Sequence, residues 1–135
     1  IDTEALAAAR EAGYRIDALE AVGVERMRPH FLRGTGQNAR FAKVRPELRA
    51  MVQFDSRNLQ SLDWPAHERF DALFCRNVMI YFDKPTQRAI LGRLVQHLSD
   101  DGLLYTGHSE NYLHAADLIQ PCGRTLYRRA AKAGA

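Results

Sequence analysis

Long hydrophobic runs are missing from this chain. No stretch approaches the ~18 consecutive apolar residues that a membrane-spanning helix needs, so membrane insertion is not expected. No secretory leader is read either, because Ile1 leads directly into Asp2-Thr3-Glu4. Cysteine is scarce: Cys75 and Cys122 stand apart, with no C-x-x-C and no histidine near them at ligand spacing. They read as free thiols of a reducing compartment, the cytoplasm, and not as a disulfide or a zinc site. His30, His67, His97, His108 and His114 form no pair at i+3 or i+4 supported by carboxylates, so no metal centre is expected. A hydrolase elbow is also absent. Gly107-His108-Ser109-Glu110-Asn111 lacks the second glycine of G-x-S-x-G, and three adjacent side chains cannot converge as nucleophile, base and orienter.

What is present is one domain's worth of chain, 135 residues with 46% apolar and 26% charged content, the balance of a soluble globular protein. The first residue is not Met, so the chain reads as cut from something longer. The net charge of +3 is unevenly spread. Between Arg26 and Arg49 seven basic residues face one acid, Glu47, giving that segment +6 and the rest of the chain −3. A basic patch on a slightly acidic body suits an acidic partner. Nucleic acid is a poor fit, because only Phe31 and Phe41 in that segment offer stacking platforms.

The elements are expected as follows. Asp2 or Thr3 caps a helix over residues 5–10, which Gly13 ends. Residues 14–30 read as broken helix interrupted at Gly23, with Leu19, Val22, Val24 and Met27 buried. Arg40 to Arg45 alternate basic and apolar residues as a half-exposed strand does, and Pro46 ends that strand. Residues 31–54 therefore form a small antiparallel insertion with basic side chains on its open face, and Met51-Val52-Gln53-Phe54 begins the next strand. Gly34-x-Gly36-x-x-Ala39 is not a dinucleotide fingerprint, because no buried strand precedes it and no apolar helix follows.

The central stretch is Phe70-Asp71-Ala72-Leu73-Phe74-Cys75-Arg76-Asn77-Val78-Met79-Ile80-Tyr81-Phe82. Its apolar density suits a strand buried on both faces. Asp83 or Lys84 precedes Pro85 at the start of a helix whose Ile90, Leu91, Leu94, Val95 and Leu98 form one apolar stripe, stopped at Asp100-Asp101-Gly102. Leu103-Leu104-Tyr105-Thr106 is the next strand, and residues 118–128 close as a hairpin turning at Gly123-Arg124. Three strands thus end in polar residues: Asn58, then Arg76-Asn77, then His108-Ser109. Helical or long connections make them parallel and bring those ends to one edge, where open α/β sheets bind ligands.

The central stretch, together with Asp100-Asp101-Gly102-Leu103-Leu104-Tyr105-Thr106-Gly107-His108-Ser109-Glu110-Asn111, resembles the signature blocks of the chemotaxis receptor methyltransferases, the CheR family. The opening Ile1-Asp2-Thr3-Glu4 and the Arg33-Gly34-Thr35-Gly36 turn resemble that family as well. The resemblance implies an α/β fold, the C-terminal portion of a Rossmann-like class I methyltransferase domain over residues 1–135, with an inserted β-subdomain at 31–50. The family's first strands, glycine-bearing cofactor loop, ribose-holding acid and helical N-terminal domain are expected upstream of Ile1. The activity implied is methylation of receptor glutamate carboxylates, with S-adenosylmethionine as cofactor and S-adenosylhomocysteine as product. Carried over by position, Asn58 and the Leu59 backbone meet the adenine and Asn77 the amino-acid end of the cofactor. Arg76 and Tyr81 face the methyl-transfer site, Arg76 also counting among the cofactor contacts.

The resemblance further implies docking of a receptor's C-terminal peptide by Arg33, Gly34, Gly36, Arg40, Lys43 and Arg45. A further glycine usual in that docking type is Arg40 here. The competing reading of this segment is a solvated basic face with no dedicated partner. Lacking its first strands, the fragment is expected to be inactive alone, or to self-associate through open sheet edges. The alternative function is a non-catalytic module in which the basic β-subdomain docks an acidic receptor tail.

Overall fold

The computed structural model describes residues 2–65 and 67–131. The chain divides into two compact units, Ile1–Arg57 and Asn58–Ala135.

In the first unit, helix α1 (Thr3–Glu11) starts where the Asp2 side chain accepts the Ala5 N–H at 2.9 Å. It ends one residue earlier than expected, at Ala12, whose φ of 54° is left-handed. That conformation costs a non-glycine residue about 1–2 kcal/mol. Tertiary pairing offsets it, since buried Ala12 accepts the Val44 N–H at 2.9 Å. Gly13 is thereby released into strand β1 (Gly13–Arg15), a segment expected to be helical. A 3-10 turn (Asp17–Val22) and α2 (Val24–His30) meet at Gly23, as expected. Leu19 is buried, Val22 and Met27 are half-buried, and Val24 is exposed, contrary to expectation. Strands β2 (Phe31–Arg33) and β3 (Phe41–Val44) follow, then α3 (Pro46–Arg49).

The first sheet is antiparallel with order β1-β3-β2, so one of its strands precedes residue 31. Directly opposed residues share a face. Lys43 therefore lies with Phe41, Leu32 and Arg15, while Arg33, opposite buried Ala42, belongs to the other face. The basic residues are divided between two faces, not gathered on one. Residues 51–58 form no strand either. Met51, Val52 and Phe54 are exposed, and the Phe54 carbonyl accepts from the Arg10 guanidinium at 2.7 Å. No strand among the described residues lies beside this segment to supply ladder hydrogen bonds, and a lone strand leaves its backbone unpaired.

The second unit holds β4 (Phe70–Cys75), a 3-10 turn (Met79–Tyr81), α4 (Lys84–Gln96), β5 (Leu98–Thr106), a 3-10 turn (Leu113–Ala115), β6 (Ile119–Pro121) and β7 (Leu126–Arg129). The mixed sheet has order β4-β5-β7-β6, with β4 and β5 parallel around α4 and the closing hairpin antiparallel. Asp83 caps α4 by accepting the Thr86 N–H at 2.9 Å, and Pro85 stands in its first turn. Ile90, Leu91 and Leu94 are buried under the sheet together with Leu104 and Ile119. Leu98, expected to close the helical stripe, begins β5 instead. Asp100, Asp101 and Gly102 sit within that strand, at an irregularity between the Phe70↔Leu98 and Ala72↔Leu103 pairs.

Strand β4 is not buried on both faces. It is the edge of its sheet, hydrogen-bonded only to β5. Leu73 and Cys75 turn to the core, while Phe70 and Phe74 are exposed at 41% and 69%. Phe74 covers part of its ring by stacking on Tyr105, with centroids 4.4 Å apart. A run of apolar residues marks a strand but not how many neighbours it has.

Candidate active site

Two parallel strands deliver their C-terminal ends side by side, and Arg76, Asn77, Gly107 and Glu110 lie there. Strand β4 runs out at Cys75, leaving Arg76 exposed, and the chain then turns through Asn77, whose φ is 59°. Asparagine tolerates this left-handed conformation better than most residues. Met79 buries its side chain completely, and two residues later Tyr81 projects outward, 80% exposed. Strand β5 runs out beside it at Thr106, followed by buried Gly107. A Cβ at Gly107 would stand 2.7 Å from Asn77 Oδ1 and 3.1 Å from its backbone nitrogen, so only glycine lets the two strand ends approach this closely.

Two polar side chains organise the turn. Glu110 Oε1 accepts the Met79 N–H at 3.1 Å and Oε2 accepts the Gly107 N–H at 2.5 Å. Buried Gln87, on α4, donates from Nε2 to the carbonyls of Met79 and Phe82, each at 2.9 Å. Beside them lies a cleft of about 220 Å³ lined by Ile80, Lys84, Gln87, Ser109, Glu110, Asn111 and Tyr112. Burial first, and the Glu110 charge second, push both the Tyr112 phenol and the Cys75 thiol above their ordinary values. Neither is ionised near neutral pH. His108 and Ser109 are exposed, while Glu110 is committed to backbone, so the three do not form a nucleophile–base constellation. Among the described residues no group of three or more His, Cys, Asp or Glu could hold a metal ion.

The expected site residues are not all brought together. Arg76, Asn77 and Tyr81 lie on the segment after β4, and of the three Asn77 abuts Gly107. Asn58 and Leu59 are anchored elsewhere: the Leu59 carbonyl accepts from Arg93 Nη2 at 2.7 Å, in the last turn of α4. The Asn58 carbonyl accepts from Trp64 Nε1 at 3.2 Å, and the Trp64 ring lies 5.2 Å from that of His97, the C-cap of α4. The two groups are therefore fixed to opposite ends of that helix. The physical cause is the missing strand at 51–54, which was expected to carry Asn58 to the same sheet edge. In the first unit, Arg33 and Arg40 line a hollow of about 360 Å³ with Arg15, Ile16, Asp17 and Ala39. Gly34 is required there because a Cβ would stand 2.1 Å from the Asn38 carbonyl oxygen, and Gly36 adopts a left-handed φ of 56°. Lys43 is exposed, and half-buried Arg45 has its Nε buried without a hydrogen-bond partner.

Sequence reasoning missed Glu110 and Gln87 as organisers of the turn. Glu110 stands in a polar cluster with no periodicity to interpret. Gln87 is a polar residue inside a helix, and only its burial distinguishes it from a solvated one.

A parallel β-α-β unit with a polar strand-end turn defines an α/β ligand-binding sheet. The family described as "CheR methyltransferase, SAM binding domain" matches residues 1–128, and the chain belongs to it. The chain is 48% identical over 130 residues to chemotaxis protein methyltransferase 2 of Pseudomonas aeruginosa, covering 96% of this chain and 46% of that protein. It is 45% identical over 127 residues to the chemotaxis protein methyltransferase of Salmonella typhimurium, and 44% identical over 127 residues to that of Escherichia coli K12. Each match covers 94% of this chain and 44% of the relative. The chain spans somewhat under half the length of these curated relatives.

The chain's own residues fit one side of an S-adenosylmethionine site. The exposed Arg76 guanidinium and the Asn77 amide stand at the end of β4, and polar groups of this kind suit the amino-acid end of such a cofactor.

Proposed function

We propose that the intact protein methylates glutamate side-chain carboxylates of chemotaxis receptors, using S-adenosylmethionine and forming glutamyl methyl esters. The observation that carries this reading is the family match across residues 1–128, with the Arg76-Asn77 turn at the C-terminal end of a parallel strand. The cofactor, when bound, supplies a methyl group already activated on a sulfonium. No catalytic base is needed from the protein. At an ordinary glutamate pKa of about 4.3, roughly 500 carboxylates stand for each protonated acid at pH 7. What the protein must supply is alignment and compensation for dehydrating a charged acceptor.

The guanidinium of Arg76 can hold both oxygens of the acceptor carboxylate, and the Tyr81 hydroxyl hydrogen-bonds near the reacting atoms. Asn77 takes the amino-acid end of the cofactor, and Asn58 with the Leu59 backbone takes the adenine. This last assignment requires Asn58 and Leu59 to leave the Arg93 end of α4 in the intact protein. Residues 31–50 form the core of the receptor-docking subdomain, with Arg33, Arg40, Lys43 and Arg45 meeting acidic groups of a receptor peptide on the Gly34–Gly36 turn. The reaction is placed in the cytoplasm. No described helix is long and apolar enough to cross a membrane. The exposed edge of β4 is where a separated fragment would self-associate.

The test is calorimetric titration of S-adenosylhomocysteine into the full-length protein, followed by transfer of labelled methyl to receptor. Binding and base-labile label on glutamate are expected, and absence of binding would sink the reading. Arg76→Lys, which keeps the charge and loses the fork, is expected to lower turnover at saturating cofactor at least about tenfold. Unchanged turnover removes Arg76 from its role.

A further inference from the structure

Both oxygens of Glu110 are taken by main-chain N–H groups from two different segments. Met79 opens the short helical turn after β4, and Gly107 directly follows β5, so this one carboxylate ties two strand ends together. Hydrogen bonds to an ionised acceptor are stronger than neutral ones. The opposite polarity of the same turn is held by Gln87, through the carbonyls of Met79 and Phe82. With the Met79 side chain fully buried as an apolar anchor, the turn over residues 79–82 is held at both ends. Arg76 and Tyr81, on either side of this grip, are exposed, while Asn77 packs its Oδ1 against Gly107 in the left-handed conformation that asparagine tolerates.

We propose that Glu110 is a positioning residue, which locks the turn after β4 to the end of β5 and so fixes the geometry in which Arg76, Asn77 and Tyr81 are presented. It touches neither cofactor nor acceptor in this role. The carboxylate is specifically required. A glutamine there has the same volume, but it offers one accepting oxygen and turns an NH2 donor toward the second N–H, so one arm of the tie becomes a donor–donor contact. The inference rests on the methyltransferase reading of this strand end.

The experiment uses the full-length protein and begins with the wild type. Should the wild type neither bind S-adenosylhomocysteine nor transfer methyl, the methyltransferase reading itself fails before Glu110 is at issue. Given a wild type that binds, Glu110→Gln is expected to weaken S-adenosylhomocysteine binding about tenfold, the scale of one lost charge-assisted hydrogen bond. It should also lower kcat while leaving KM for receptor unchanged, both measured well below the melting temperature. A lower melting temperature with unaltered affinity and kcat would mark a merely structural residue and overturn the proposal. If the variant does not fold, amide exchange in the wild type decides. The Met79 and Gly107 N–H groups are expected to be protected, and slowed further by S-adenosylhomocysteine. Free exchange at both, with and without ligand, overturns it.

Discussion

Among the described residues, the unit Ile1–Arg57 buries the hydrophobic side chains of Ala12, Leu19 and Ala42 alone, two of which carry only a methyl group. The unit Asn58–Ala135 buries Met79, Ile90, Leu91, Leu94, Leu98, Leu104 and Ile119 around a single core, with Tyr112 beside them. Full burial of one such large side chain contributes about 1.5–3 kcal/mol, so the second unit carries its own hydrophobic driving force and the first has little. The first unit relies instead on strand pairing and on arginines that cap carbonyls: Arg10 on Phe54, and Arg49 on Arg10 at 3.0 Å. Such contacts yield only about 0.5–1.5 kcal/mol each, because water offers competing partners. The unit with the larger core carries the strand-end turn, and the lightly packed one carries the basic surface. A docking surface can be built on a small adaptable sheet, whereas alignment of reacting atoms needs a packed support.

Breaking the larger core should have the largest consequence. Leu94→Ala is expected to cost about 2–5 kcal/mol in urea unfolding, since the stripe of α4 loses a side chain that is only 4% exposed. A cost below that of a surface substitution would abolish the contrast between the units. Arg49→Ala probes the other kind of cohesion. It is expected to cost about 1 kcal/mol or less, the value of one hydrogen bond to a carbonyl, read as faster amide exchange confined to 1–57. Exchange that rises equally in both units would show that they do not unfold separately.

The smallest effect is expected from the exposed ion pair of the packed unit. Arg88 holds Asp117 through two contacts of 2.6 Å, and those hydrogen bonds pull the Asp117 carboxyl down to about 2. A carboxyl whose folded pKa lies below its unfolded value contributes stability above the unfolded pKa, near 3.8, and loses it as pH falls through about 2. Asp117→Asn should therefore lower the melting temperature slightly at pH 7, with the difference from wild type closing between pH 4 and 2. A difference that persisted at pH 2 would assign the effect to packing and not to charge.

The start of helix α4 was legible to within a residue, because a capping Asp83 and Pro85 in the first turn are local signals that the tertiary structure then uses. Its end was not, since Leu98 to Gly102 belong to strand β5, which pairs with β4. The closing hairpin was legible from local signals too, its turn lying at Gly123-Arg124 between two short strands. Where the reading and the structure part, the missing information is always a neighbour. Met51–Phe54 has the composition of a strand but no partner among the described residues. Phe70–Cys75 is a strand, yet it lies at the sheet edge with only Leu73 and Cys75 turned to the core and its other side chains exposed. The left-handed residue at the end of α1 is Ala12 and not Gly13, because pairing with Val44 outweighs the conformational preference of an isolated turn.

Family membership, the α/β class, the position of Arg76-Asn77 after a strand and the uneven spread of positive charge were all determined by the sequence alone. Each depends on residue identity and short-range order. The tertiary structure decided that Glu110 and Gln87 grip the turn carrying those residues, that Asn58 and Leu59 lie at the far end of α4, and that the basic residues divide between two faces. These are matters of register and of contacts between segments distant in the chain. A hydrogen bond across 31 residues, such as that from Met79 to Glu110, leaves no periodic trace in the order of the amino acids.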